Sequence, residues 1–473
     1  MSSPPDPATW QPDDERYVQE LSTEDRRRLT KLSSQLVDLQ NPSKQLSLLT
    51  EAVSHRIEQA VESWPADLPK RGRPLRIPPI EILVSRGRPI PVVRDELLVP
   101  SDRRGNATGE LRDLGFAEED TPIPGIVRFR PSAGRRPDLP DAVRALRARN
   151  LGSAHHIVAL RGPAKSADGP EYTDTPPDPQ LFDSDRGTGA LVVVIDTGID
   201  PYASERKDQW LHDMAQEDVD PLDVFNETTG AVRSDTFLDG AAGHGTFIAG
   251  IVRQFAPQAT VRMIRALDSR GLGTELDVAR AIRDAAGMFG ATGGVLNLSL
   301  GFETVDGEEP ESLRLALEAL PDSVLVAAAA GNEPGIEPMW PASFNDLDFV
   351  LGVAALSWDD NMDLVKNDWS NFGDHVDFSA VGDVSSTYVI GREHPARDSN
   401  PEAFPRPFSA ADGVAEQSDS YALWSGTSFS TPKVAAMLAK LLAEYGGDRT
   451  AALTAMRANR MNNNDGYGYI VRC

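Results

Sequence analysis

The stretch Leu191-Val-Val-Val-Ile-Asp196-Thr-Gly-Ile-Asp200 decides the reading of the whole chain. Five consecutive apolar residues, four of them β-branched, make a run too short for a helix and too uniform for a half-exposed strand, so they predict a parallel strand buried on both faces. Thr197-Gly198 then turns the chain. A carboxylate at Asp196 would stand at the carboxyl end of that strand, where open α/β sheets place their ligand crevice. Taken alone, the same Asp is equally a capping residue after a strand.

Three further segments supply partners for such a carboxylate. In AAGHGTFIAGIV (241–252), Gly243 and Gly245 let the backbone approach its surroundings closely, and small apolar residues follow, which places His244 at a helix start. In SGTSFSTP (425–432), followed by KVAAMLAKLLAEY, Ser428 falls in the first turn of an amphipathic helix, near Pro432. Free N–H groups and the positive end of the helix dipole there favour an oxyanion. In SVLVAAAAGNEPG (323–335), an apolar strand ends at Gly331-Asn332 and presents a side-chain amide donor. Each residue has an ordinary alternative: Ser428 as an N-cap, His244 as a loop residue. Together they offer a nucleophile, a base for its proton and a carboxylate for the base.

These blocks, in the order Asp, His, Ser, resemble the D-T-G, H-G-T, G-N and G-T-S-x-x-x-P blocks of the subtilisin-like serine peptidases. Shorter matches, WPASF (340–344), VLGVAAL (350–356), WSNFG (369–373) and GYGYIV (466–471), extend the likeness over about the last three-fifths of the chain. The resemblance implies a serine endopeptidase with Asp196, His244 and Ser428 as triad and Asn332 with the Ser428 N–H as oxyanion hole. It also implies that NLSLG (297–301) lies beside an extended substrate strand, making Ser299, Leu300 and Gly301 candidate substrate contacts. Where the family usually has Ala-Pro-Gly, this chain has Ala380-Val381-Gly382, and a Pro-, Ser- and acid-rich insertion runs from about 392 to 420.

Composition agrees with a large α/β core: 473 residues are 40% hydrophobic. A formal net charge of −25 argues against a general affinity for nucleic acid or anionic membranes, since phosphate binding needs a basic face. The N-terminus lacks the basic, apolar and small-residue order of a signal peptide, and no run is long enough to cross a bilayer, so a cytoplasmic location is expected. The one cysteine, Cys473, excludes an intrachain disulfide.

The expected architecture is a doubly wound parallel α/β catalytic domain (187–473), preceded by a small ferredoxin-like α+β domain (95–162) and an N-terminal helical region (1–64). In that region two leucine-rich stripes suggest an α-hairpin, which packs on its own chain or docks a protein partner. A Pro- and Arg-rich extended linker is expected over 65–94, where RGRP occurs at 71–74 and 86–89 and resembles the core of a minor-groove DNA motif; an extended linker explains it without DNA. The α+β segment looks like the prodomain of subtilisin-like enzymes, which implies a folding chaperone and inhibitor whose tail lies in the cleft. A polar segment (163–186) is a candidate processing site, with a cut between about Lys165 and Asp183. The expected partner is a protein or peptide substrate. No cofactor is required and no metal ligand is assigned; the family resemblance allows structural calcium, for which Asp346-Leu347-Asp348 or Asp359-Asp360-Asn361 could supply oxygens.

Overall fold

The structure is a computed structural model. It describes residue 75 and residues 77–160, 170–173, 176–177, 187–206, 210–222, 225–226, 231–232, 238–359, 361, 363–389, 420–458, 461–463 and 466–471. The helical region expected over 1–64, most of 163–186, nearly all of the insertion and Cys473 lie outside the described residues.

From Ile80 the chain builds β1 (Ile80–Ser85), β2 (Arg88–Pro100), α1 (Arg104–Asp113), β3 (Phe116–Asp120), β4 (Ile126–Pro131), α2 (Leu139–Ala148) and β5 (Ser153–Ala159). The extended linker expected over 65–94 is corrected here: its second half is a β-hairpin. Arg86 and Gly87 both take positive φ (52° and 76°), the two-residue turn whose twist matches that of the strands it joins. The prolines misled because Pro89 and Pro91 sit where β2 pairs with β1 on one side only, and a strand tolerates a missing N–H there.

Strands β5, β2, β4 and β3 are neighbours in that order, with α1 and α2 as crossovers. Helix α2 is amphipathic: Asp138 caps it by accepting from the Asp141 N–H at 2.9 Å, and Leu139, Ala142, Val143 and Leu146 form its buried face. That face packs on Leu97, Val99, Phe116 and Phe129.

Neighbouring strands β2, β4 and β5 of this sheet form a charged knot. Glu96, 4% exposed, meets His155 Nδ1 at 2.8 Å and Arg130 Nε at 2.7 Å. Burial alone would raise its carboxyl, but the hydrogen bonds and charges of His155 and Arg130 outweigh that and hold it at about 2 instead of 4.5. A carboxylate lowered on folding stabilises the fold above its unfolded value and loses that contribution as pH falls from 4.5 toward 2. Glu96→Gln is therefore expected to lower stability at pH 7 by on the order of 3 kcal/mol and to flatten the acid limb of Tm against pH. Thermal melts from pH 7 to 2 check this.

The larger unit contains β6 (Glu171–Thr173), β7 (Leu191–Asp196), the short hairpin β8 (Phe225–Asn226) and β9 (Ala231–Val232), α3 (His244–Phe255), β10 (Thr260–Arg265), β11 (Leu272–Thr274), α4 (Glu275–Ala286), β12 (Gly294–Leu298), α5 (Glu311–Leu317) and β13 (Val324–Ala329). It continues with β14 (Val350–Trp358), β15 (Leu364–Lys366), β16 (Phe378–Val381), β17 (Asp383–Thr387), β18 (Tyr421–Ser425), α6 (Thr427–Glu444), α7 (Arg449–Ala458), β19 (Met461–Asn463) and β20 (Gly468–Ile470). The main sheet runs β10-β7-β12-β13-β14-β16-β20-β19, parallel from β10 to β20.

Strand alternation explains why the 191–196 run had to be apolar throughout. Val192 and Val194 join the core under α3 and α6, whereas Val193 and Ile195 join the opposite core under α4 and α5. Each such side chain contributes about 1.5–3 kcal/mol on burial. After β7 the chain forms β10 on one side of it and then crosses to β12 on the other, so the strand order switches direction at β7. Crevices open at such a switch point, beyond the carboxyl ends of the strands.

The two units share a seam. Strand β5 pairs antiparallel with β11, from Ala159↔Leu272 to Ile157↔Thr274. Across the seam, His156 Nδ1 meets Glu275 at 2.8 Å, with both side chains 1% exposed, and Arg88 pairs with Glu303. The second RGRP motif is thus the β1–β2 turn, with Arg88 engaged by the larger unit. No helix among the described residues is long and apolar enough to cross a membrane.

Candidate functional site

Asp196 ends β7 with no exposed surface, at the switch point. Its carboxylate accepts from the Thr197 N–H at 2.8 Å and meets His244 Nδ1 at 2.8 and 3.0 Å through its two oxygens. His244 is the first residue of α3. Gly243 before it takes a left-handed φ of 76°, and a Cβ on Gly245 after it would stand 2.4 Å from the Gly198 carbonyl oxygen. Both glycines are therefore required for the imidazole to reach the strand end. With Nδ1 held by a carboxylate, the ring's Nε2 is the nitrogen available as a base. The ring is packed by Trp424 and Phe429, each with its centroid 5.3 Å away.

Ser428 is the second residue of α6 and is 8% exposed. Its Oγ donates to the Ser299 carbonyl at 3.0 Å, and Ser299 Oγ donates to the Ser428 carbonyl at 2.7 Å. The second bond has a backbone cause. Pro432 lies four residues on inside the helix and has no N–H for the Ser428 carbonyl, so Ser299 satisfies that acceptor from outside. Asn297 Nδ2 in turn donates to Ser299 Oγ at 3.0 Å.

Asn332 follows β13 after Gly331, whose φ is 112°. Its Oδ1 accepts from both the N–H and the Oγ of Thr427, each at 2.8 Å. With Oδ1 committed to two donors, the NH2 end of the amide is fixed as the donor.

Of the three candidate substrate contacts, Ser299 is fully buried with its side chain on the Ser428 backbone, Leu300 is 2% exposed in the core under α4 and α5, and Gly301 is half-buried. A Cβ on Gly301 would stand 2.8 Å from the Met339 side chain. Neither candidate calcium loop has a disengaged first carboxylate: Asp346 accepts from Arg314 at 2.8 Å, and Asp359 accepts from the N–H groups of Asn361 and Asp363 at 2.9 and 2.8 Å.

His244, Asn332 and Ser428 line one small cavity of about 40 Å³, together with Trp424, Phe429 and Leu160. Leu160 belongs to the N-terminal unit. It follows β5 directly, is 6% exposed, and donates its N–H to the Gly271 carbonyl at 2.9 Å. Four residues of the site carry no assigned role in the sequence analysis: Thr427, Phe429, Leu160 and Trp424. Thr427 and Phe429 stand in the quoted SGTSFSTP block; the other two are brought in by pairing between distant strands and leave no local signal.

Comparison with known proteins gives the family. The profile of the Subtilase family matches residues 187–469. Thermitase of Thermoactinomyces vulgaris is 29% identical over 279 residues, 57% of this chain and 80% of that protein. The thermophilic serine proteinase of Bacillus sp. (strain AK1) is 32% identical over 285 residues, 59% of this chain and 57% of that one. The intracellular serine protease of Paenibacillus polymyxa is 26% identical over 280 residues, 55% of this chain and 69% of that one. The chain thus spans most of thermitase and just over half of the AK1 proteinase. In fold it resembles fervidolysin of Fervidobacterium pennivorans, a keratinolytic enzyme related to subtilisin, with a TM-score of 0.52 at 18% identity over 83% of this chain and 61% of that one. With more than half of its length matched by the family profile and its site built at the switch point of a parallel sheet, the chain belongs to the subtilase family of serine peptidases.

Proposed function

We propose that this chain is a serine endopeptidase in which Ser428 attacks the scissile carbonyl of a protein or peptide substrate. His244 takes the hydroxyl proton at Nε2 and later delivers it to the leaving amine. Asp196 holds the ring tautomer and stabilises the imidazolium, and the Asn332 amide with the Ser428 N–H receives the tetrahedral oxyanion. Water then hydrolyses the acyl-enzyme by the same route. The carrying observation is the buried His244–Asp196 contact at 2.8 Å, facing the cavity that Ser428 and Asn332 also line. For attack, the Ser428 hydroxyl turns from the Ser299 carbonyl toward His244, a rotation about one side-chain bond. Protein groups and water carry every step, so no cofactor is required; structural calcium is an unassigned addition.

The Ser299–Gly301 backbone is proposed to pair with an extended substrate, the Ser299 side chain serving Ser428 instead. The unit built from β2 to β5 is read as a ferredoxin-like prodomain acting as an inhibitor, supported by Leu160 in the cleft and by the β5–β11 pairing. Cleavage between about Lys165 and Asp183 would separate it. Docking of a partner by the N-terminal helices and a cytoplasmic site of action belong to the same proposal; the Paenibacillus relative carries "intracellular" in its name. DNA is not proposed as a ligand.

Leu160→Asp tests the inhibitory part. A carboxylate buried at this edge of the cavity, in the apolar cluster that holds Leu160, costs a few kcal/mol, so the initial rate on an internally quenched peptide is expected to rise at least about tenfold over wild type. An unchanged rate with active wild type refutes the inhibitory tail; no hydrolysis by either protein refutes the peptidase.

A further inference from the structure

One buried carboxylate beside the site has no part in the chemistry above. Asp220 has no exposed surface and lies in the loop that follows β7. One oxygen accepts from the Gly243 N–H at 2.8 Å, the other from the Leu222 N–H at 2.9 Å, and the Thr197 hydroxyl adds a side-chain hydrogen bond. Thr197 Oγ also accepts from the Gly245 N–H at 3.1 Å. Thr197 is the residue after Asp196; Gly243 and Gly245 flank His244. Backbone pairing fixes the loop to the same place: the Asp220 N–H donates to the Ile199 carbonyl at 2.9 Å, and the Ile199 N–H to the Asp218 carbonyl at 2.8 Å. The contact is so close that a Cβ on Gly198 would stand 2.6 Å from the Asp220 nitrogen.

We propose that Asp220 is a positioning residue, which through Gly243 and Thr197 sets the separation and tilt of the His244–Asp196 pair. The inference rests on the peptidase reading and deepens it. The Asp220 carboxylate grips the backbone before the base at Gly243, and the Thr197 hydroxyl bonded to it holds the Gly245 N–H after the base; misplacement of such a pair by about 1 Å costs about a hundredfold in rate. The neighbouring charges are Arg265 on β10, itself shared with Asp218 and Asp268, and the His244–Asp196 pair. Burial pushes the Asp220 carboxyl up to about 6 against its N–H donors, and in its ionised form it adds a second negative charge beside Gly243, the residue before His244.

The test is steady-state kinetics on active-site-titrated Asp220→Asn, Thr197→Val and Thr197→Ser. Asparagine keeps one acceptor but turns an N–H toward a backbone donor. Its kcat is expected to fall about ten- to a hundredfold with KM within about twofold, and the acid limb of its kcat/KM profile to move to lower pH, because a negative charge that favoured the imidazolium is gone. Thr197→Val is expected to lower kcat about tenfold, and Thr197→Ser, which keeps the hydroxyl, to restore it to within about twofold. An Asp220→Asn enzyme with wild-type kcat and an unmoved acid limb overturns the proposal, as does a Thr197→Ser enzyme as impaired as Thr197→Val. If Asp220→Asn does not fold, the Thr197 pair decides. Inactivity of both wild type and Leu160→Asp refutes the underlying peptidase reading instead.

Discussion

Replacing Ser428 with alanine is expected to lower kcat by about six orders of magnitude while leaving the fold in place. The magnitude is the one established for the related subtilisin and is carried over to this chain. The argument for an intact fold comes from the surroundings of Ser428. Its carbonyl is held by Ser299 Oγ, the preceding Thr427 is held by Asn332 through two bonds, and none of the three involves the Ser428 hydroxyl. Only the Oγ bond to the Ser299 carbonyl is lost, which costs about 1 kcal/mol. The expected pattern is therefore no measurable peptidase activity with a Tm within a few degrees of wild type, checked by peptide hydrolysis and thermal melting on one preparation.

Asn332 carries two tasks at opposite ends of one amide, and two substitutions separate them. Asn332→Ala is expected to lower kcat by about a hundred- to a thousandfold with KM little changed, again the subtilisin magnitude carried over. It also strips the Thr427 N–H and hydroxyl of their acceptor, so stability is expected to fall by about 1–2 kcal/mol. Asn332→Asp keeps an oxygen for Thr427 but replaces the NH2 donor with a second acceptor that repels the developing oxyanion. Its kcat is expected to fall at least as far as in Asn332→Ala with Tm largely retained. Equal activity in Asn332→Asp and wild type would mean that the amide serves only to hold the helix.

The chemical groups of the site were legible because each sits at a point of local punctuation. Asp196 ends an apolar run, His244 stands between a glycine of positive φ and a glycine that the close approach of α3 to Gly198 requires, Ser428 opens an amphipathic helix, and Asn332 follows a left-handed glycine. Connections made by tertiary pairing were not legible. Leu160 reaches the cleft only because β5 pairs with β11, more than a hundred residues on in sequence, and nothing in HHIVAL announces that register. The role of Ser299 turns on Pro432, far along the chain, whose missing N–H exposes the carbonyl that Ser299 covers. The β1–β2 hairpin was obscured by prolines that a singly paired stretch of strand tolerates, and the Arg86-Gly87 turn lacks the Asn-Gly or Asp-Gly pair that most strongly marks a type I′ hairpin. Asp220, one of several acidic residues in EDVDPLD, gains its place only through the pairing of its loop with Ile199.

The measurement closest to the central claim is intact-mass and peptide-mapping analysis after treatment with a fluorophosphonate, on wild type, Leu160→Asp and Leu160→Asp combined with Ser428→Ala. A triad of Asp196, His244 and Ser428 behind a cleft-blocking Leu160 predicts one adduct, mapped to Ser428, forming faster in Leu160→Asp than in wild type and absent from the double variant. An unlabelled Leu160→Asp protein that is folded by thermal melt, or an adduct that persists when Ser428 is alanine, would contradict it.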